Sequence, residues 1–146
     1  MPLDNPSDLS FILRFPADVV RNNSTAWTTF MPAKSISPGR YRFELQIAGS
    51  KGPGGAQMSK VRLVTGGLVD ASGYPDGDHI SLAAGSPFSM PITPIIGGMR
   101  LTGNLEILAG TGLTVDVAQD TAEAIDHIFY AWPPYSWLQL ERIHNL

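Results

Sequence analysis

Ser37-Pro38-Gly39-Arg40-Tyr41-Arg42-Phe43-Glu44-Leu45-Gln46-Ile47 alternates without a break. Tyr41, Phe43, Leu45 and Ile47 fall on one side of an extended chain, and Arg40, Arg42, Glu44 and Gln46 fall on the other. An apolar–polar period of two marks a β-strand with one buried and one wet face. Pro38-Gly39 is turn chemistry and delivers the chain into that strand. The remaining segments read as partners for it.

Upstream, Phe11, Leu13 and Phe15 alternate with Ile12 and Arg14 until Pro16 stops the strand. Asn22-Asn23-Ser24 is a turn. Ala26 to Met31 alternates again, with Trp27, Thr29 and Met31 opposite Thr28 and Phe30, and Pro32 ends it. Downstream, residues 49–55 are too glycine-rich for an element. Met58 to Thr65 follows as a strand, with Val61, Leu63 and Thr65 on one face and Gly66-Gly67 as a bend. Residues 70–78 read as a loop tip and Ile80 to Leu82 as a brief strand. Phe88, Met90 and Ile92 alternate among Pro87, Pro91 and Pro94, which confines them to an edge strand because proline donates no ladder hydrogen bond.

Gly97-Gly98 reads as a turn. A long strand follows from Met99 to Leu108, with Leu101, Leu105 and Ile107 inward. Gly110-Thr111-Gly112 reads as a tight hairpin turn. Leu113, Val115 and Val117 alternate next. Residues 119–124 are expected to make one helical turn, and Ile125 to Tyr130 to return as a strand that Pro133-Pro134 breaks. Tyr135 to Ile143 closes the chain, with Leu138 and Leu140 opposite Gln139 and Glu141. Eight to ten short strands and no amphipathic helix of about ten residues predict an all-β antiparallel sandwich or barrel. Residues 1–9, with two prolines and two aspartates, are expected to be a short extended N-terminal arm ahead of one domain over 10–146.

A chain of 146 residues suits a single domain with its own core. The 43% hydrophobic content argues against disorder. No cysteine is present, so disulfides and thiolate metal sites are excluded. The formal charge is -3, from 10 Lys+Arg against 13 Asp+Glu, with no basic run, so nucleic acid is not an expected partner. The N-terminus lacks the basic head and apolar core of a signal peptide. No apolar run reaches the roughly 18 residues a spanning helix needs, so no membrane partner is expected.

Candidate chemistry is sparse. Asp70, Asp76, Asp78 and His79 lie within ten residues, but their spacing misses a calcium loop and Asp-Gly is ordinary turn chemistry, so no metal is expected. Asp126 and His127 are strand neighbours that point to opposite faces and cannot form a dyad. There is no Gly-x-Ser-x-Gly elbow, and the 49–55 loop lacks the Gly-Lys-Ser/Thr ending of a phosphate loop. No enzyme and no cofactor are expected. Trp132, Tyr135 and Trp137, with Phe129 and Tyr130, flank the Pro-Pro corner. Five large aromatics are hard to fit inside one small sandwich. Core, intersubunit contact and sugar groove all stay open for them.

Three pieces carry a resemblance: Ser37-Pro38-Gly39-Arg40-Tyr41-Arg42-Phe43-Glu44, then Gly112-Leu113-Thr114-Val115-Asp116-Val117-Ala118-Gln119, then Ser136-Trp137-Leu138-Gln139-Leu140-Glu141-Arg142-Ile143. In this order, over roughly 18–143, they resemble the jelly-roll domains of tailed-phage structural proteins. That group comprises capsid decoration (cement) proteins and tail-fibre heads, akin in fold to TNF and C1q-like trimers. The resemblance implies a β-sandwich of jelly-roll type, a homotrimer and a place in the virion. Only about 10–15 residues precede the first strand, with no stalk or fibrous repeat, which favours decoration. The expected partner is then the major capsid protein, at the capsid surface. The alternative is a receptor- or glycan-binding fibre head. The candidate interface comprises Pro2, Leu3, Asp4 and Pro6 in the arm, Arg40, Arg42 and Glu44 on the wet face, and Trp132, Tyr135 and Trp137.

Overall fold

The computed structural model describes residues 10–51, 58–74, 79–82, 88–91, 97–131 and 135–144. The expected arm over 1–9, the end of the 70–78 tip and Trp132 lie outside them. The described strands are β1 (Ser10–Leu13), β2 (Val19–Arg21), β3 (Thr28–Lys34), β4 (Gly39–Lys51), β5 (Met58–Val64), β6 (Gly66–Tyr74), β7 (His79–Leu82), β8 (Phe88–Pro91), β9 (Gly97–Ile107), β10 (Leu113–Gln119), β11 (His127–Tyr130) and β12 (Trp137–His144).

They form two antiparallel sheets. The larger has the order β1-β12-β4-β9-β6-β7, with β11 beside β4 and β2 beside β11; the smaller is β3-β10-β5-β8. β11 and β12 lie end to end along β4, pairing with Ala48–Lys51 and Arg40–Gln46 respectively, and β2 and β1 repeat that arrangement one strand further out. Counted in chain order without β2, β11 and the β6–β7 hairpin, the eight remaining strands sit 1-8-3-6 and 2-7-4-5. That order is the double Greek key of a jelly roll. The protein is an all-β antiparallel sandwich of this type.

β4 is the keystone, and its alternation is realised in full: Tyr41, Phe43, Leu45 and Ile47 are buried. They join Leu101, Leu105 and Ile107 of β9 and Leu138 and Leu140 of β12 against Val61, Leu63, Val115 and Val117 of the smaller sheet. Phe15 stacks on Phe30 at 4.2 Å and 7°, with Phe129 beyond. Fully burying one such side chain contributes roughly 1.5–3 kcal/mol. Where β11 gives way to β12, side chains replace the ladder. Ser136 Oγ accepts from Ala48 N–H at 3.0 Å, and Asp18 Oδ1 accepts from Ala131 N–H at 2.8 Å.

Several expectations need correction. Phe30 and Met31 are both buried, because the register steps from Asp116↔Thr29 to Val115↔Met31 and leaves Phe30 as the extra residue of a bulge. β3 also runs through Pro32 to Lys34, which an edge strand tolerates. Gly97 and Gly98 are strand, paired with Gly49 and Ala48, not a turn. Asp70 to Tyr74 belong to β6, not a loop tip.

The Gly110–Gly112 turn exists, with φ of +77° and +69° at its glycines, but it is no hairpin: it carries the chain from the larger sheet to the smaller. The helical turn over 119–124 does not form. The Gln119 side chain takes over the bonding, accepting from Ser24 and Glu123 N–H at 3.1 and 3.0 Å and donating to the Ile125 carbonyl at 2.9 Å. The edge position of β8, beside β5 alone among the described strands, is as the prolines require.

Candidate functional site

The wet face of β4 lies at the centre of the larger sheet's outer surface. Arg40 bonds Glu106 of β9 at 2.9 Å, and Arg42 bonds Glu141 of β12 at 3.0 Å; both pairs sit directly across the strand ladder. Arg100 of β9 reaches Glu44 at 3.4 Å and Gln46 Oε1 at 2.8 Å, and its guanidinium lies 5.7 Å from the Trp137 ring. The Arg40 hydrogen bond holds the Glu106 carboxyl below its usual range. Pairs this exposed contribute at most about 1 kcal/mol each to stability. Their effect is to fix the side chains in one pattern. Between them is a depression of about 380 Å³, lined by Arg42, Glu44, Thr102, Asn104, Gln139 and Glu141.

Towards the other end of β4 the same face turns aromatic and apolar. Tyr130 O–H and Ser50 Oγ are 2.6 Å apart, and the Tyr130 and Tyr135 rings lie 6.1 Å apart at 47°. Gln46 Nε2 donates to the Tyr135 carbonyl at 3.1 Å. Ile12 and Val20, each 51% exposed, pair with Gln139 and Ile128 and complete the patch.

The structure thus gathers Arg40, Arg42, Glu44, Tyr135 and Trp137, which are spread over nearly a hundred residues of chain, onto one surface. Pro2, Leu3, Asp4, Pro6 and Trp132 lie outside the described residues, although β1, into which the first of these segments leads, is an edge strand of this sheet. The aromatic cluster divides: Phe129 is wholly buried in the core beside Phe30, while Tyr130, Tyr135 and Trp137 are half-buried on the outer face.

A second polar assembly was invisible to sequence reasoning. His127, fully buried, projects between the sheets. Its Nδ1 lies 2.8 Å from Ser59 Oγ of β5, and its Nε2 lies 3.6 Å from Glu123 Oε1. Among the described residues neither Glu123 oxygen nor His127 Nε2 has a hydrogen-bond partner. Lys51, buried, is paired with His127 across the ladder. Burial lowers the His127 pKa and Lys51 adds to the fall, while Glu123 opposes them. Serine, histidine and carboxylate in a row suggest nucleophilic chemistry, but Ser59 is wholly buried, so this serine meets no substrate in this conformation. Asp126, the sequence neighbour of His127, instead bonds Asn22 at 2.8 Å. The period-2 pattern of β4 does carry one overlooked signal: continued to residue 51, it places a lysine on the inward side.

No family model and no curated protein matches the chain. Among solved structures, Eiger, a TNF from S. frugiperda, is similar with a TM-score of 0.40 and 11% identity, over 97% of this chain and 89% of that one. A likeness that weak adds nothing to the jelly-roll assignment, which rests on strand order.

Proposed function

We propose that the chain is a viral structural protein, a trimeric capsid decoration protein that binds the major capsid protein at the virion surface and acts by cohesion. The observation that carries this reading is the outer face of the larger sheet. Arginines held in place by carboxylates border three half-buried aromatics and two exposed aliphatics on a broad sheet surface. Aromatic residues and arginine are the types enriched where proteins associate. In this reading the face joins copies of the chain, and residues 1–9, leaving the same sheet by its edge strand, lie across adjacent capsid subunits. A protein that binds the assembled lattice and not its dissociated subunits stabilises the shell by mass action.

Light scattering on the eluting protein, paired with co-sedimentation on capsid shells, tests both halves. The intact chain is expected to be a trimer that sediments with shells, and a chain lacking residues 1–9 a trimer that does not. A monomer at micromolar concentration sinks the association, and unchanged decoration by the truncated chain sinks the role of the arm.

One observation favours the fibre-head alternative. Thr102, Asn104 and Gln139, in the 380 Å³ depression, make no side-chain hydrogen bond among the described residues and would suit a hydroxyl-rich glycan. Glycan-array binding by the isolated chain, without affinity for shells, selects that reading instead.

A further inference from the structure

We propose that the Ser59–His127 contact is an acid-sensitive latch. It holds β2 and β11 on the sandwich, and protonation of His127 releases them together with the outward patch of Val20, Ile128 and Tyr130.

The strands concerned are weakly held by their own ladders. Among the described residues β2, of three residues, pairs only with β11, and β11, of four, pairs otherwise only with the last residues of β4. Inward anchoring falls largely to side chains: Phe129 in the core, Val19 of β2 packed against it, and His127, which spans to the opposite sheet, while Gln119 of that sheet donates to the Arg21 carbonyl at 3.3 Å.

The groups around His127 decide how it answers a proton. Ser59 faces it from β5, Lys51 from β4 and Glu123 from the segment ahead of β11. Arg21 lies opposite on β2, but its guanidinium is turned to Ser24 Oγ and the Ala26 carbonyl at 2.8 and 3.1 Å. Residues 52–57 contain no titratable side chain. The serine hydroxyl donates or accepts as required, so it serves either form of the ring. The charge is what the site resists. An imidazolium here loses its hydration and sits beside a buried lysine, and the opposing Glu123 carboxylate is 3.6 Å away, too far for a hydrogen bond.

Because burial places the folded His127 pKa below its ordinary 6.5, the neutral ring's contribution is complete above that value. It falls away as pH drops from there towards the folded value. Opening β11 and β2 readmits water to the ring and relieves the penalty without unfolding the rest. The same four-residue strand carries His127 inward and Ile128 and Tyr130 outward, so acid acts on the outer face through the core.

Amide exchange on the intact chain at pH 7 and pH 5, corrected for intrinsic rates, reads the latch locally and without reference to any partner. Protection at 19–21 and 127–130 is expected to fall by up to about 25-fold, the limit for one proton taken up with an ordinary value in the open state. Protection in β9 and β10 is expected to hold. His127→Gln keeps a hydrogen-bonding side chain without titration and should abolish the pH dependence. Glu123→Gln removes the opposing charge and lowers the folded value further, so the fall should keep its onset near 6.5 and extend to lower pH. Unchanged wild-type protection, an undiminished fall in His127→Gln, or a fall that ends at higher pH in Glu123→Gln overturns the latch. Should His127→Gln not fold, the wild-type ring decides: a His127 resonance titrating at or above 6.5 also overturns it. Failure of trimerisation or of shell binding leaves these readouts untouched.

Discussion

Gly110 and Gly112 flank Thr111 in the turn that carries the chain between the sheets, and alanine substitution separates backbone strain from steric exclusion. Both adopt left-handed backbone, at φ +77° and +69°. That conformation costs an L-residue about 1–2 kcal/mol. Alanine recovers about 0.4–1 kcal/mol by restricting the unfolded chain. A Cβ on Gly110 meets nothing within 4 Å among the described residues, so Gly110→Ala should cost only about 1 kcal/mol net. A Cβ on Gly112 would sit 2.8 Å from the Lys34 carbonyl oxygen, which belongs to the backbone at the end of β3. That oxygen cannot rotate away, so the turn or the strand end must shift. Overpacking of this kind adds about 1–3 kcal/mol, which brings Gly112→Ala to about 2–4 kcal/mol in all. Urea unfolding is the assay. With a slope of about 2 kcal/mol per molar, the Gly112→Ala midpoint should drop by about 1–2 M and the Gly110→Ala midpoint by about 0.5 M. Equal midpoints would refute the reasoning, because they would mean that the Lys34 carbonyl does not close against the turn.

Two further outcomes are expected. Gln119→Ala removes the side chain that bonds Ser24, Glu123 and Ile125, leaves part-buried backbone groups without that partner, and should cost about 1–3 kcal/mol, with amide exchange rising first over 120–126. A loss below about 0.5 kcal/mol would show that water replaces it freely. Tyr41 O–H donates to the Ser37 carbonyl at 2.6 Å, and burial raises its pKa above 10.0 while Arg142 opposes. The neutral phenol's contribution is therefore complete below the unfolded value and is lost as pH rises through 10 to the folded value. Unfolding measured from pH 8 to 11 should show that alkaline loss, and Tyr41→Phe should remove it at a cost of about 1 kcal/mol. An identical alkaline slope in Tyr41→Phe would place its source elsewhere.

Local alternation was enough to find most of the sandwich. Residues 41, 43, 45 and 47 are buried as their spacing requires, as are 101, 105 and 107, 113, 115 and 117, and 138 and 140. The misses share a cause. Phe30 breaks parity because β10 accepts a bulge opposite it, and the bulge answers to Phe15 and Phe129, far away in sequence. Gly97-Gly98 carries turn chemistry, yet a long β4 supplies ladder partners that outweigh it. Residues 119–124 carry a helical propensity that the Gln119 side chain outbids. Of the candidate site, Arg40, Arg42 and Glu44 were legible as a wet face and Tyr135 and Trp137 as a surplus of aromatics, but nothing local joined them.

By itself the sequence determined the fold class, the keystone strand and the two faces of that strand, because a period of two is a property of neighbouring residues and needs no partner to be read. Which sheet each strand enters, the splitting of the outer strands into β1–β2 and β11–β12, the meeting of five scattered side chains on one surface and the burial of His127 between Ser59, Lys51 and Glu123 were decided only by the tertiary structure. The physical reason is range. Alternation sets which way a side chain points, whereas its partner is chosen by ladder register and by packing between strands up to a hundred residues apart. Desolvation, which gives His127 its character, arises only once both sheets have closed over it.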